Sequence, residues 1–343
     1  MHLEHDVELA SLTTLELGGR ARYLVHAQSE DDVALALDFA REASVRVWVL
    51  GGGSNVVVPD AGIDGLVLSV RLRGVEIDRS EPAIARVTAR GGEPWDALVE
   101  AMVAANLAGL ECLSGIPGKV GATPIQNVGA YGQEVSDTIA SVRAYDRDER
   151  RFVELPPSVC DFSYRDSSFK SKQPDRYVVT SVTFALRPGG APTLRYPELR
   201  QRFGASPPRL AEVRETVLAI RRAKSMLVEA TDENRRSCGS FFMNPVVTGA
   251  VADQTASRFP GIEMPRYAQP DGTVKLSAAW LIERSGLKKG QRSGNVGISS
   301  RHALALVCHD GATTSELLAF AEGIRARVHE RSGISLSPEP VRF

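Results

Sequence analysis

The chain has 343 residues, 43% hydrophobic and 24% charged, the make-up of an ordinary globular protein too long for a single core. Its 41 Lys and Arg balance 42 Asp and Glu, leaving a formal net charge of -1, which argues against a nucleic-acid binder that rests on excess basic residues. No apolar run reaches membrane-spanning length, and the N-terminal MHLEHDVELASLTTLELGG lacks the apolar core of a signal peptide.

Residues 31–43, DDVALALDFAREA, carry apolar positions at helical spacing behind a Ser29 cap. Residues 45–50, VRVWVL, read as a strand that stops at Gly51-Gly52-Gly53-Ser54-Asn55, and residues 56–58 and 62–70 as two further short strands. Such close alternation implies a small α/β subdomain over residues 1–70. Residues 86–89 read as a strand, and residues 93–104 as a helix with Trp95, Leu98, Val99 and Val103 on one face. Strands follow at 140–145, 151–155 and 177–186, then a helix at 209–224 with Val213, Val217 and Ile220 at helical spacing. A polar linker at 229–236 leads to β structure at 240–247, a helix at 277–285, a strand at 303–308 and a helix at 314–331. The expected domains are 1–70, 71–228 and 229–343.

Cys112, Cys160, Cys238 and Cys308 are scattered without CxxC spacing, and the six histidines form no HxxxH pair. Neither a metal site nor a disulfide framework follows, and a reducing cytoplasm fits.

Between Gly109 and Glu134 the sequence reads GLECLSGIPGKVGATPIQNVGAYGQE, with only Glu111, Lys119 and Glu134 charged. Glycine supplies positive φ and close backbone approach, and successive turns aim N–H groups into an anion-holding concavity. A connection this long without regular structure is usually functional. It reads as backbone wrapped around a large polyanionic cofactor. GGGSN at a strand end offers a second set of main-chain donors, with Ser54 and Asn55 adding hydrogen bonds. It is neither a Walker loop, since GK[ST] is missing, nor a dinucleotide fingerprint.

In Cys238-Gly239-Ser240-Phe241-Phe242-Met243-Asn244-Pro245, a strand would alternate Phe241 and Phe242 between core and ligand, with Ser240 presented in an open turn after Gly239. Ser240 is no nucleophile elbow, because GxSxG does not fit and no histidine is near. Arg165, in FSYRDSSFK, offers a planar fork for a carboxylate; pairing with Asp166 in a solvated loop is the plainer alternative. Lys224 closes a basic helix end, and Glu339 stands between Pro338 and Pro340.

GGGSN, SGIPGKVGATPIQNVGAYGQE, YRDSSFK, GSFFMNP and a terminal PEPVRF, in this order, closely resemble the UDP-N-acetylenolpyruvoylglucosamine reductase (MurB) family. The likeness runs from LELGG at residues 15–19 to the last residue. Tyr196, in LRYPELR, matches the longer family form, in which a tyrosine loop folds over the substrate. This chain departs from the usual pattern at Gly121-Ala122-Thr123-Pro124 and at Pro340 after Glu339.

The resemblance implies an α+β, three-domain flavoprotein: two α/β subdomains forming a PCMH-type FAD-binding unit, then a C-terminal α+β substrate domain. It implies noncovalent FAD, NADPH as reductant, and a UDP-N-acetylglucosamine enolpyruvate substrate reduced to UDP-N-acetylmuramate for peptidoglycan synthesis in the cytoplasm, by a monomer. It assigns Gly51, Gly52, Gly53, Ser54, Asn55, Ser114, Gly115, Ile116, Pro117, Gly118, Gly121, Ala122, Gln126, Asn127, Gly129, Ala130 and Tyr131 to the cofactor. Tyr131, Tyr164, Tyr196, Lys224 and Asn244 go to the substrate. Ser240 matches the proton donor, Arg165 the cation that stabilises developing charge, and Glu339 its acidic partner. Rival readings are another FAD-dependent oxidoreductase of the same fold, a non-catalytic nucleotide-sugar binding protein, and, weakest, a serine hydrolase.

Overall fold

The computed structural model describes residues 1–204 and 207–343. The chain divides into two compact units, one of Met1–Glu8, Arg20–Gly53 and Ile63–Leu227, the other of Leu9–Gly19, Ser54–Gly62 and Val228–Phe343. The expected subdomains 1–70 and 71–228 therefore lie in one unit, except for two short segments that the C-terminal unit takes in.

The first unit holds two large sheets and a two-stranded hairpin among its described residues. One has four strands in the order Leu3–Glu8, Arg20–Ala27, Ile63–Val70, Arg46–Leu50. Ile63–Val70 is flanked by parallel neighbours on both sides, which explains its nearly unbroken apolar run. Helix Glu30–Glu42 begins in a capping box between Ser29 and Asp32 and buries Val33, Ala36, Leu37 and Ala40. These residues share a core with Val25, Val47, Leu66 and Leu68.

The other sheet has six strands, with Tyr177–Pro188 between Ile139–Asp146 and Ile84–Arg90. Helix Trp95–Ala104 lies on this sheet through Trp95, Leu98, Val99 and Met102; Val103, expected on that face, is only partly buried. The two sheets are fastened by one carboxylate. Glu30 accepts a bidentate pair from Arg143 at 2.7 and 2.9 Å and a hydroxyl from Thr180 at 2.9 Å. This tie, together with shared core residues Tyr145 and Val178, makes the two subdomains one packed body.

The second unit is built on a four-stranded sheet, Ser237–Ser240, Ala305–Cys308, Val296–Ile298 and Arg292–Ser293, and a three-stranded one, Val246–Val247, Val274–Leu276 and Arg266–Ala268. Helices Gly249–Ser257, Ala278–Arg284 and Thr314–Ser332 accompany them. The last is capped by Thr313 and stops at Gly333, whose φ of 78° is the left-handed C-terminal cap. Val56–Val57 pairs in parallel with Val341–Arg342, so early and late chain segments meet inside this unit.

The β structure expected at 240–247 is two separate strands. Phe241 and Phe242 do not alternate between core and ligand: both are 1% exposed in the main core, their rings edge to face at 5.3 Å.

Candidate functional site

In the first unit the glycine-rich segment is mostly buried, yet Ile116–Lys119, Gly121 and Ala122 remain partly open. A Cβ on Gly52 would lie 2.6 Å from Gly118 Cα, and one on Gly51 would lie 3.2 Å from Ala122 Cβ. The triplet and the long segment thus lie in close contact. Main-chain bonds pin the contact from below: Trp95 to Gly118 at 3.0 Å, Val120 to Glu93 at 2.9 Å, Gly121 to Gly91 at 2.9 Å. Lys119 donates to the Val70 carbonyl at 2.8 Å; burial, with Arg71 and Arg73 nearby, draws its pKa down to about 8.

Gly115 takes φ +74°, and its N–H donates to Asp96 at 2.5 Å. Asp96 is held in turn by both terminal nitrogens of Arg214, at 2.6 and 3.0 Å. Burial opposes the charge on Asp96, but Arg214 and the Gly115 N–H win and keep its carboxyl below the usual range. Arg221 packs against the same glycine. It is 7% exposed, donates to the Met226 carbonyl at 2.7 Å, and has an Nε with no hydrogen-bond partner among the described residues. A buried guanidinium with a spare donor, beside a cradle that any Cβ would fill, fits an electron-rich or anionic cofactor. FAD is such a group.

Gly129–Ala130 and Gln133–Glu134 form a hairpin closed by Tyr131 and Gly132, with φ of 50° and 80°. Both central residues are left-handed, as a type I′ turn requires. A tyrosine held there is strained, and such strain concentrates at functional sites. Its ring meets Tyr196 edge-on at 5.3 Å, and burial lifts its hydroxyl pKa to about 12. Arg165 also sits at positive φ, 56°; it donates to the Gly129 carbonyl at 2.6 Å and lies 5.3 Å from the Tyr164 ring centre. Its carbonyl accepts from Lys170 at 2.8 Å. The structure therefore gathers Gly129, Tyr131, Tyr164, Arg165 and Tyr196 in two linked clusters, and ties Lys224 to them through Glu198, 3.8 Å away on the helix that Tyr196 caps.

Two assigned polar side chains are spent internally. Asn127, 1% exposed, donates to Glu134 and the Ser163 carbonyl and accepts from Ser136. Ser114 donates to the Glu111 carbonyl at 2.7 Å. Each braces the segment, leaving main-chain groups for a ligand. Gln126, Ile116, Pro117 and Ala130 lie partly open on it.

In the second unit Ser240 ends its strand after Gly239, at φ +75°, where the pairing register with Ala305–Cys308 slips. The bulge leaves Ser240 partly exposed while its neighbours Phe241 and Phe242 are buried. Glu339 N–H donates to the Phe241 carbonyl at 2.9 Å, and Asn55 Nδ2 approaches the Glu339 carbonyl at 3.5 Å. Ser240, Glu339 and Asn55 thus share one neighbourhood, with Ser54 preceding Asn55. Asn244 accepts from Ala278 N–H at 3.0 Å and so anchors helix Ala278–Arg284.

Sequence reasoning missed Asp96, Arg214, Arg221 and Glu111. The arginines carried a readable signal: 214 and 221 fall on the same helical stripe as Val213, Val217 and Ile220, where a charge needs a reason. Among the described residues no group of His, Cys, Asp and Glu could hold a metal ion, and all four cysteines are buried and free.

Residues 21–152 match the family model of an FAD binding domain, and residues 231–343 that of the UDP-N-acetylenolpyruvoylglucosamine reductase C-terminal domain. Fold and glycine cradle together define an FAD-binding flavoprotein with a second, C-terminal domain. Over 99% of its length the chain is 45% identical to the UDP-N-acetylenolpyruvoylglucosamine reductase of Salinispora arenicola, covering 96% of that protein. It is 43% identical to the enzyme of the same name from Ralstonia nicotianae, across 99% of this chain and 98% of that one. The chain belongs to the UDP-N-acetylenolpyruvoylglucosamine reductase family. The crystal structure of the Thermus caldophilus reductase shares the fold, with a TM-score of 0.68 over 100% of this chain and 99% of that one at 24% identity.

Proposed function

We propose that this protein reduces UDP-N-acetylglucosamine enolpyruvate to UDP-N-acetylmuramate with NADPH, through noncovalent FAD, in peptidoglycan precursor synthesis. The observation that carries the reading is family identity over nearly the full chain, through both matched domains. FAD, when bound, would supply hydride transfer between NADPH and the enolpyruvyl double bond. The chain's own residues do the rest.

Gly51, Gly52, Gly53, Gly115, Gly118 and Gly121 give main-chain access to the cofactor, and the free Nε of Arg221 gives it a buried cation. Hydride addition leaves negative charge on the carbon next to the substrate carboxylate. Arg165, braced by the Gly129 carbonyl, is the fixed cation for that charge. Ser240 gives the proton; a carbanion is basic enough to take one from a hydroxyl, so reach matters more than a matched pKa. Glu339, fixed by its N–H bond to Phe241, is the acidic partner on that side. Tyr131, kept neutral by its raised pKa, stays a hydroxyl donor at any working pH. Lys224 exchanges Glu198 for a phosphate of the nucleotide sugar; Tyr164 and Tyr196 of the first unit, and Asn244 of the second, are assigned to the same substrate by the family resemblance.

No helix among the described residues is long and apolar enough to cross a membrane. A monomer in the cytoplasm is part of the same reading, checked by light scattering and by fractionation. The deciding experiment is purification followed by assay. A yellow protein should oxidise NADPH beyond one equivalent per flavin only when the enolpyruvyl nucleotide sugar is added, and acid precipitation should release all its flavin. A colourless protein that binds the sugar without turnover would leave a binding protein as the better reading.

A further inference from the structure

Glu111, on the single turn Glu111–Leu113, is fully buried. A carboxylate at such depth needs donors in place of water. It has three: Gly109 N–H on Oε2 at 2.7 Å, Thr193 N–H on Oε1 at 2.7 Å, and Gln133 Nε2 on Oε1 at 3.3 Å. None is a cation. Thr193 is held on its other face too, its carbonyl accepting from Cys112 Sγ at 3.0 Å. Burial raises the Cys112 thiol far above its ordinary range, so it stays protonated and donates. Gln133 closes the network by accepting from Cys112 N–H at 2.9 Å.

Both main-chain polar groups of Thr193 are therefore locked to the glycine-rich segment. Three residues on is Tyr196, edge-on to Tyr131. Leu194 and Tyr196 pack in the cluster of Cys112, Val213 and Val217, whereas the Arg195 side chain is 65% exposed.

We propose that Glu111 is a positioning residue: by fixing Thr193 it sets where Tyr196 stands against Tyr131, and so how tightly the nucleotide sugar is held. The inference rests on the reading of Tyr196 as a substrate-holding residue. A carboxylate is required because two N–H groups point at different oxygens of the same side chain. Glutamine there would turn one acceptor into a fourth donor.

The test is Glu111→Gln in the FAD-loaded enzyme. Losing a buried hydrogen bond should raise the KM for the nucleotide sugar about ten-fold, leave flavin reduction by NADPH unchanged, and speed trypsin cleavage after Arg195. Unchanged cleavage at Arg195 overturns the proposal whatever the kinetics. Faster cleavage with an unchanged KM, while Tyr196→Ala raises KM, overturns it and leaves the reading of Tyr196 standing. If Tyr196→Ala also leaves KM unchanged, that reading fails and the proposal falls with it. Should Glu111→Gln not fold, amide exchange in the unsubstituted enzyme decides. Thr193 N–H should exchange far more slowly than that of Arg195 without substrate, and equal rates overturn the proposal.

Discussion

Glu339 hands its single N–H to the carbonyl of Phe241 at 2.9 Å, one residue past Ser240. Pro338 and Pro340 on either side have no N–H to give. The next donor is Val341, which bonds to the Asn55 carbonyl at 3.0 Å. A Pro-Glu-Pro run thus has one register on this neighbourhood, and Pro340 costs no hydrogen bond in it.

Ser240→Ala should separate the two half-reactions. Flavin reduction by NADPH needs no proton donor at the substrate carbon and should survive. Reoxidation by the enolpyruvyl sugar should fall by ~10²–10⁴-fold, the usual worth of a general acid, and Ser240→Cys should retain part of it. Stopped-flow flavin absorbance follows each half. A parallel loss in both would make Ser240 structural, with Glu339 the next candidate donor.

Lys224→Ala should raise the KM for the nucleotide sugar with little change in kcat, because a phosphate remote from the reacting carbons is bound equally in ground and transition states. Glu198→Gln, which removes the competing carboxylate 3.8 Å away, should lower that KM. Equal falls in kcat and kcat/KM for Lys224→Ala would sink the assignment.

Gly52→Ala should cost both cofactor and stability. The new methyl would stand 2.6 Å from Gly118 Cα and 3.0 Å from its carbonyl carbon, and backbone cannot step aside as a side chain would. Overpacking of this kind costs ~1–3 kcal/mol. The flavin-to-protein absorbance ratio after gel filtration should fall along with the melting temperature. Full flavin content at an unchanged melting temperature would remove Gly52 from the cradle.

Lys119 predicts a pH dependence. Its folded pKa of about 8 lies below its ordinary value of 10.5, so between these values the unfolded chain holds more protons and stability rises with pH. The penalty is fully present below pH 8. Lys119→Met removes it at neutral pH, and loses the Val70 hydrogen bond at every pH. The stability of the unsubstituted protein relative to Lys119→Met should therefore climb by roughly 1 kcal/mol from pH 7 to above pH 10, the Coulombic part being discounted for solvent screening. Denaturant melts across that range check it; a flat difference would place Lys119 in water.

The two strong helices and the central strands were readable because their apolar periodicity is also their burial. Ser29 announced its helix, and Gly333 ends the last one where glycine should. What escaped notice depends on partners distant in sequence. Strand Val75–Glu81 is exposed throughout, so the alternation of Val75 and Ile77 with Glu76 and Asp78 is too short and marks no buried face. Helix Gly249–Ser257 buries only Ala252 and Thr255. The GSFFMNP segment read as one strand, but Asn244 turns to Ala278 and Pro245 cannot donate, so the chain leaves the sheet and both phenylalanines enter the core. The glycine segment announced a ligand through composition alone. The internal bracing by Asn127, Ser114 and Glu111 could not be read there, since an amide or carboxylate in a loop looks the same whether it faces a cofactor or its own backbone.

Asn55 and Glu339 are 284 positions apart, yet they meet within one compact unit. On the ribosome this separates the two by the synthesis of 284 residues. Val56–Val57 emerges early and cannot pair with its strand partner until Val341–Arg342 has been made. Until then the neighbourhood of Ser240 lacks its contacts with Glu339. Contacts of such high sequence separation form slowly, and the early segments stay exposed to aggregation in the meantime.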